Sequence, residues 1–244
     1  MASDSPTQKQ DGFLFFGNSD RDSEAVAAAK RLQRISLSSA ASIAHFCISP
    51  LDGNDSRRRM KAPIQLETTR LILRQPLMSD AVEVFERYAS SAEVTRFLAW
   101  PCHRSVRDTE AFLRFSAQEW DQWPAGPYLI VSRTDGQLLG STGFGFQTPY
   151  EAMTGYVLAR DAWGKGFATE ALTAIVDVAT RIGVSRLFAL CHPEHRPSRR
   201  VLEKCGFVRD DMSKPAVEFP NLSPGVRQEA LCYALVLAGT NNAG

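Results

Sequence analysis

The sequence predicts an α/β (α+β) fold built around a mixed β-sheet, and two observations carry this prediction. First, the apolar runs 155–159 and 186–191 flank a glycine-containing turn and an amphipathic run over 167–182. That order of strand, turn, helix and strand is a β-α-β unit, whose strands are parallel and whose crossover is right-handed. Second, Asp135-Gly136 lies between two apolar runs, which predicts a β-hairpin and therefore antiparallel strands.

The composition is typical of a soluble globular protein. Of the 244 residues, 44% are hydrophobic and 23% are charged, which suits one large domain or two small ones. The formal net charge of +1 gives no bulk attraction to nucleic acid or to an anionic membrane. No apolar run approaches the about 20 residues that a membrane helix needs. We therefore expect neither nucleic acid nor membrane as a partner.

The cysteines are scattered along the chain, and no two of them form a Cys-x-x-Cys pair, so the sequence predicts no metal site. Several fall within apolar runs and are expected to be reduced core residues. A reduced state suits a cytoplasmic location.

Residues 1–60 are predicted to be a poorly ordered N-terminal extension, because no periodic pattern there could bury a core. They also lack the basic and apolar regions of a secretory signal. Met60 directly precedes the first convincing domain sequence, so one hypothesis is that Met60 is the native start. The alternative is a regulatory or targeting tail. The folded domain is predicted over residues 61–240.

The domain begins with a predicted strand over 66–74, where apolar and polar residues alternate loosely. Helix-start signals predict a helix over about 79–88 and a second helix over about 105–120. The remaining predictions are strands over 128–132, 137–146, 153–159 and 186–191, helices over 167–182 and 197–205, a strand from Phe207, a polar loop over 210–227 and a strand over 229–237. The predicted order is β-α-α-β-β-β-α-β-α-β-β.

The turn over 163–170 lies where a strand leads into a helix. The first N–H groups of a helix have no internal partner and carry the positive end of the helix dipole. Gly164 and Gly166 remove side chains that would keep an anion away, and Lys165 adds a positive charge. The turn is therefore predicted to bind a phosphate or pyrophosphate group.

Three phosphate-binding motifs compete for this turn. A P-loop needs Ser or Thr after its Lys, but Gly166 follows Lys165. A dinucleotide-binding turn needs a third glycine, and Thr169 stands there. The acetyl-CoA loop of the GNAT acetyltransferases, Gln/Arg-x-x-Gly-x-Gly/Ala, matches residues 163–168 except for Trp163 at its first position. From this motif alone, an ordinary glycine turn is an equal alternative.

Two further segments resemble the RimJ/RimL-like branch of the GNAT N-acetyltransferases. Residues 66–74 resemble its opening strand, and residues 192–207 are similar to its second signature, Pro-x-Asn-x-x-Ser before a helix and Lys-x-Gly-Phe after it. With the glycine turn, three motifs occur in the family's order, and the resemblance covers residues 64–238. It implies a three-layer fold whose central mixed, mostly antiparallel sheet contains a splayed parallel strand pair. It also implies acetyl-CoA as cosubstrate and direct transfer to a primary amine, without an acyl-enzyme.

The resemblance implies that the pantetheine arm bonds to the strand before the turn and the pyrophosphate to the turn itself. The implied cofactor-binding residues are Tyr156, Val157, Leu158, Trp163, Gly164, Lys165, Gly166, Phe167, Ala168, Thr169, His195 and Ser198. Ser198 matches the family's Ser near the sulfur of CoA and is the predicted proton donor. Its alternative role is to cap a helix beginning at Arg199. His195 stands where the family usually has Asn, and it could instead be solvated.

A general base is needed because an amine is mostly protonated at neutral pH. Met153 occupies the position where this branch often has Glu. Glu151 is the nearest carboxylate and the second predicted catalytic residue, with an exposed hairpin charge as its alternative. Glu110 and Glu119 are further candidates, both expected to be solvated. Aromatic residues are expected on the acceptor side or in the core: Phe97, Trp100, Trp120, Trp123, Phe144 and Tyr150.

The acceptor is expected to be a small-molecule amine or a protein N-terminus, and the protein to be a monomer or a homodimer. Two other functions stay open. One is a non-catalytic acyl-CoA-binding or sensor module, suggested by the unusual residues at positions 153 and 195. The other is a nucleotide-binding oxidoreductase, which Thr169 disfavours.

Overall fold

The computed structural model describes residues 60–237. The predicted extension, apart from Met60, lies outside the described residues, as does the end of the predicted domain. The elements of the first half are β1 (Gln65–Glu67), β2 (Leu71–Arg74), α1 (Ala81–Val84), α2 (Ala92–Thr95), α3 (Val106–Gln122), β3 (Pro127–Ser132), β4 (Leu138–Thr148) and β5 (Glu151–Leu158). The second half contains α4 (Phe167–Arg181), β6 (Arg186–Cys191), α5 (Arg196–Lys204), β7 (Val208–Arg209), β8 (Ala216–Glu218), β9 (Arg227–Glu229) and β10 (Leu231–Val236).

Eight strands form one sheet in the order β1-β2-β3-β4-β5-β6-β10-β7. All neighbours in this sheet are antiparallel except β5 and β6, which are parallel and joined by α4. The mixed, mostly antiparallel sheet confirms the predicted fold class. No helix within residues 60–237 is both long and apolar enough to cross a membrane.

The parallel pair separates soon after it begins. Residues 151–153 of β5 pair with residues 186–188 of β6, and no pairing follows. Beyond that point β5 continues to pair with β4, while β6 continues to pair with β10. The two strands therefore diverge toward their carboxyl ends and leave a gap between residues 154–158 and 189–191.

Helical layers cover both faces of the sheet. Alternate residues of β3 point to opposite faces. Ile130 belongs to the cluster that packs against α4, whose Leu172 and Ile175 are fully buried. Val131, on the other face, packs with Val84 of α1. The glycine turn follows β5 and precedes α4, so it lies at the carboxyl end of β5, beside the gap between β5 and β6.

Three predicted elements differ from the structure. The single strand over 66–74 is two antiparallel strands, β1 and β2, because the chain turns at residues 68–70. A short helix, α2, follows the first predicted helix. The polar loop over 210–227 contains β8, which pairs with β9 and buries Val217 and Phe219. Glu170 bonds Thr68 and Arg70 at the turn over 68–70, a distant contact that local propensity does not report, whereas α2 is capped locally by Ser91.

Candidate active site

The glycine turn has the backbone of an anion-binding site. Gly164 and Gly166 have φ angles of 73° and 82°, in the left-handed region that glycine adopts without strain. Gly166 is the N-cap of α4 and supplies no side chain to bond the first-turn amides. A Cβ at Gly164 would meet nothing within 4 Å, and one at Gly166 would meet only Arg70 Nη2, at 3.4 Å, so the space beside the two glycines holds no group but this cation. An anion there could therefore accept hydrogen bonds from the first-turn amides.

Arg70 and Glu170 fix this turn against the start of β2. Glu170, in the first turn of α4, accepts hydrogen bonds from the Arg70 amide at 2.8 Å, from Arg70 Nε at 2.7 Å and from Thr68 Oγ1 at 2.6 Å. Arg70 Nη1 donates to the Lys165 carbonyl at 2.9 Å. Burial alone would raise the pKa of Glu170, but these hydrogen bonds and the Arg70 charge lower it overall. The carboxylate is thus paired, and its charge is not left facing the turn.

Sequence reasoning missed this role of Arg70. Its partners lie about a hundred positions away, as the separation of 100 between Arg70 and Glu170 shows. The Arg70 guanidinium also lies 4.6 Å from the centre of the Phe167 ring. A cation from the start of β2 therefore stands beside the turn in addition to Lys165.

The predicted residue Trp163 folds back onto the end of β5. Its indole Nε1 donates to the Leu158 carbonyl at 2.7 Å, and the Arg160 guanidinium lies 4.7 Å from the centre of its ring. Trp163 is 39% exposed. The structure therefore brings Leu158, Trp163 and the glycine turn together.

Tyr156 and Ser198 meet across the gap between β5 and β6. The Tyr156 hydroxyl lies 3.0 Å from Ser198 Oγ and donates to the Ser198 carbonyl at 3.0 Å. Burial raises the pKa of Tyr156, so its proton stays on oxygen. The helix-capping alternative for Ser198 is wrong: α5 begins at Arg196 and its N-cap is His195. The Ser198 hydroxyl is instead directed to the gap.

Two cysteines near the gap are protonated thiols. Burial raises the pKa of Cys191, at the end of β6, and of Cys205, at the end of α5. A thiol is a poor nucleophile compared with a thiolate. Neither residue is thus activated for attack.

His195 is partly buried, so the solvated alternative is wrong. Its ring stacks on Phe97 with centroids 4.7 Å apart. Its Nδ1 is buried and has no hydrogen-bond partner among the described residues. Burial and the neighbouring His192 lower the pKa of His195, so the ring is neutral at neutral pH.

Glu151 lies away from these residues. It begins β5, where it forms an ion pair with Arg186, which also contacts Asp210 at 3.2 Å. Tyr156 lies five positions further along the same strand, a distance of about 16 Å at ~3.3 Å per residue. The structure therefore does not bring Glu151 together with Ser198.

A cavity of about 290 Å³ adjoins the gap. Tyr156, Cys191 and Ser198 line one side, and residues of α3 and the loop over 97–103 line the other. Glu119 of α3 also lines this cavity, is only 3% exposed, and has a pKa raised to about 7 by burial. The expectation that Glu119 is solvated is therefore wrong.

The spacing of residues along α3 could have predicted that Glu119 lies on the same helical face as two aromatic residues. Phe112, Phe115 and Glu119 lie at i, i+3 and i+7, so they share one face of α3, and all three line the cavity. Glu110 lies on another face, where its side chain is 39% exposed and 3.7 Å from Arg114. Of the two glutamates of α3, only Glu119 therefore lines the cavity beside the gap.

The aromatic residues named from the sequence divide into three groups. Phe97, Trp100 and Phe144 line the cavity. Trp120 and Trp123 pack in the main core, and Tyr150 is 53% exposed. The loop carrying Phe97 and Trp100 is fixed by Asn221, a residue that sequence reasoning did not single out.

Asn221 bonds this loop at two points and the last residue of α2 at a third. Its Oδ1 accepts from the Cys102 amide at 2.7 Å, and its Nδ2 donates to the Thr95 and Trp100 carbonyls, both at 2.8 Å.

His103, the last residue of the loop over 97–103, is buried. Its Nδ1 lies 2.8 Å from Thr109 Oγ1, and burial lowers its pKa to about 4. Within residues 60–237, no three His, Cys, Asp or Glu side chains are grouped as a metal site requires.

The sequence pattern that defines the Acetyltransferase (GNAT) domain matches residues 70–208. The chain is 29% identical over 150 residues to p20, an uncharacterized N-acetyltransferase of Bacillus licheniformis; the match covers 60% of this chain and 84% of p20.

Two solved structures share the fold. One is a Salmonella typhimurium acetyl transferase that modifies the N-terminal serine of ribosomal protein L7/L12, with a TM-score of 0.61, 20% identity, and coverage of 72% of this chain and 99% of that one. The other is the microcin C7 self-immunity acetyltransferase MccE in complex with acetyl-CoA and AMP, with a TM-score of 0.61, 22% identity, and coverage of 70% and 94%.

Proposed function

Because the chain belongs to the GNAT acetyltransferase family, whose members use acetyl-CoA, we propose that it transfers the acetyl group of acetyl-CoA directly to a primary amine. The observation that carries this proposal is that three features lie together at the carboxyl ends of β5 and β6. They are the open amides of the glycine turn, the gap between β5 and β6, and the Tyr156–Ser198 pair inside that gap.

The turn and the gap fit two parts of acetyl-CoA, the pyrophosphate and the pantetheine arm. The amides over 164–169, with Lys165 and Arg70 beside them, suit the pyrophosphate. Beyond residue 153, the edge of β5 that faces β6 has no strand partner, so its backbone groups can bond the amides of the pantetheine arm. The proposed donor site therefore needs no rearrangement of the sheet.

The proposed reaction begins when the acceptor ammonium loses a proton. The amine nitrogen then attacks the thioester carbonyl, the C–N bond forms, and the C–S bond breaks. The leaving sulfur receives the proton that the new amide nitrogen loses, relayed through the Ser198 hydroxyl. The Tyr156 hydroxyl, whose proton goes to the Ser198 carbonyl, lies 3.0 Å from Ser198 Oγ and holds the Ser198 side chain at the gap, where it can pass a proton to the sulfur. The raised pKa values of Cys191 and Cys205 support transfer without an acyl-enzyme.

CoA release from acetyl-CoA across an amine panel tests this function. The panel contains monoamines, diamines, aminoglycosides and peptides with free N-termini, and at least one should give an acetylated product. Cys191→Ala should keep turnover, whereas an acetyl group trapped on Cys191 would contradict direct transfer. Acetyl-CoA binding without CoA release from any amine would instead indicate a sensor module.

A charge reversal tests the donor site. Lys165→Glu places a carboxylate beside the proposed pyrophosphate site, so the Kd for acetyl-CoA should rise at least about 10-fold. The control is Lys214→Glu, which makes the same change at an exposed position between β7 and β8. Equal affinities of the two variants would rule out this assignment of the turn.

A further inference from the structure

The lining of the cavity beside the gap contains one carboxylate and is otherwise mostly apolar, with no Lys or Arg side chain among the described residues. Of the Asp, Glu, Lys and Arg residues between positions 60 and 237, Glu119 alone lines it. Glu119 is 3% exposed and lies on the wall formed by α3. A buried carboxylate normally has a partner, because an isolated buried charge is costly. No hydrogen bond to its side chain occurs within the described residues, so this carboxylate is free to bind a ligand.

Several aromatic rings line the same cavity as Glu119. Phe112 and Phe115 lie on the same helical face, two turns and one turn before it. Across the cavity, Phe97 stacks on His195, and Phe219 of the β8–β9 segment contacts His192 edge to face with centroids 4.8 Å apart. The surface around the carboxylate is therefore suited to hydrocarbon.

Two imidazoles of the cavity, those of His103 and His195, do not add a positive charge that would satisfy Glu119. The pKa of His103 is lowered to about 4 by burial, and that of His195 is lowered by burial and by His192. The lining therefore offers one negative site and no fixed positive site. A second ammonium on a ligand, or a carboxylate, would lose its water without gaining a partner.

Building on the proposed function, we infer that the acceptor is a small monoamine with an aromatic or aliphatic substituent, held by Glu119 at its ammonium group and by Phe97, Phe112 and Phe115 at its hydrocarbon part. The cavity volume of about 290 Å³ lies at the small end of ligand-binding pockets. That size favours a small molecule over a protein N-terminus. The polar and apolar parts of the lining thus match the two parts of one compound.

Glu119 also takes the proton that the acceptor must lose. The ammonium transfers one proton to the Glu119 carboxylate, which becomes a neutral carboxyl, and the free amine attacks the thioester. Overall, ammonium and acetyl-CoA give acetamide, CoA thiol and one proton, which Glu119 later releases to water. A carboxyl whose pKa is about 7 is well matched to proton transfer at neutral pH. The titratable groups that line the cavity with it are Tyr88, His103, Tyr156, Cys191, His192 and His195.

Three amines of equal chain length test which charges on the acceptor the cavity accepts. Hexylamine carries one ammonium, 1,6-diaminohexane adds a second, and 6-aminohexanoate adds a carboxylate. At pH 8, kcat/KM for hexylamine should exceed those for the other two by at least about 100-fold, because each added charge would be buried without a partner. A peptide with a free N-terminal serine is the fourth substrate. If the diamine, the amino acid or the peptide equals hexylamine, the inferred acceptor class is wrong.

Calorimetry separates this inference from the proposed function. Hexylamine binding to the protein without acetyl-CoA needs no turnover, and its Kd should rise at least about 10-fold in Glu119→Gln. Binding that depends on Glu119, together with no CoA release from any amine, would contradict only the proposed function. If hexylamine does not bind, or binds equally well to Glu119→Gln, the inference is overturned.

Turnover of the same variant tests proton transfer. Glu119→Gln keeps the shape of the side chain, and its kcat/KM for hexylamine at pH 8 should fall by about 100-fold or more. The matched control is Glu110→Gln, on the exposed face of the same helix. The wild-type rate should also rise with pH through about 7, and His192→Gln should keep this rise because imidazole is not its source. Wild-type turnover in Glu119→Gln would contradict the assignment.

Discussion

The hydroxyl of Tyr156, on β5, lies 3.0 Å from both Oγ and the carbonyl oxygen of Ser198, on α5, so hydrogen bonds span the gap where the parallel strands separate. The strands cannot bond each other there, since their pairing ends at Met153 and Phe188. The gap is thus bordered by two backbone edges and crossed by two hydroxyl groups. This arrangement gives Ser198 a defined orientation before any ligand enters.

Removing the Tyr156 hydroxyl should therefore slow the chemical step more than it weakens acetyl-CoA binding. In Tyr156→Phe we expect kcat to fall about 10-fold, because one contact that positions the proton-transferring hydroxyl is lost. The Kd for acetyl-CoA should change less than about 3-fold. Ser198→Ala should have a similar effect, and the double variant should be no slower than the slower single one, because the two hydroxyls act as a unit.

Tyr233→Phe is the matched control for that experiment. The Tyr233 hydroxyl contacts Glu203 at 2.9 Å and Arg199 at 3.3 Å, outside the cavity. Its loss should leave kcat unchanged. Equal kcat values for Tyr156→Phe and the wild type would show that the pair only maintains structure.

Arg70 should contribute to acetyl-CoA affinity and little to the chemical step. Its side chain is 46% exposed, and its guanidinium bonds the Lys165 carbonyl and pairs with Glu170, so truncation both loosens the turn and removes a nearby cation. We expect Arg70→Ala to raise the Kd for acetyl-CoA about 10-fold, measured by calorimetry, with kcat at saturation nearly unchanged. Arg114→Ala, on the exposed face of α3, is the control. A lower kcat with an unaltered Kd would contradict this role.

Local signals predicted the parts of the site that are contiguous in sequence. The turn over 163–170 was recognised because its glycines, lysine and following helix lie within a few positions, and the structure places them at a helix N-terminus. Ser198 was named by resemblance, but its partner Tyr156 lies 42 positions earlier and no sequence pattern connects them. The same holds for Arg70 and Glu170.

The position of Glu119 was missed for a different reason. The 3.6-residue period places it on one face with Phe112 and Phe115, yet it does not say which face of the helix is buried. A carboxylate is usually exposed, so its charge outweighed the spacing. Glu119 lines a cavity whose other walls include the loop over 97–103 and β8, and the sequence does not show that these distant segments pack there.

Burial of Glu119 should reduce stability at high pH. Its pKa is raised from 4.5 to about 7, so the fold favours the neutral form. The neutral Glu119 carboxyl makes its full contribution to the free energy of unfolding below pH 4.5. This contribution is lost as the pH rises through about 7. Glu119→Gln cannot ionise and should be more stable than the wild type at pH 8 by up to about 3 kcal/mol, since a tenfold change in a proton-binding constant corresponds to about 1.4 kcal/mol.

Urea unfolding at pH 5 and pH 8 measures this effect. The difference between Glu119→Gln and the wild type should grow with pH, whereas Glu110→Gln, at an exposed position, should follow the wild type. If Glu119→Gln is equally or less stable than the wild type at pH 8, the carboxylate is stabilised in a way that its burial does not indicate. A gain in stability with a loss of turnover would show that the buried charge is kept for function.

Asn221 should control acceptor binding without touching acetyl-CoA. Its side chain satisfies one amide and one carbonyl of the loop that carries Phe97 and Trp100 and one carbonyl of α2, and each buried group left unpaired costs about 1–3 kcal/mol. Asn221→Ala should therefore loosen one wall of the cavity and raise the acceptor KM about 10-fold, while the Kd for acetyl-CoA stays constant. Asn221→Asp keeps the acceptor for the Cys102 amide but loses both donors, so its KM should lie between those of the alanine variant and the wild type. An acceptor KM that stays constant while the melting temperature falls would place this loop outside the acceptor site.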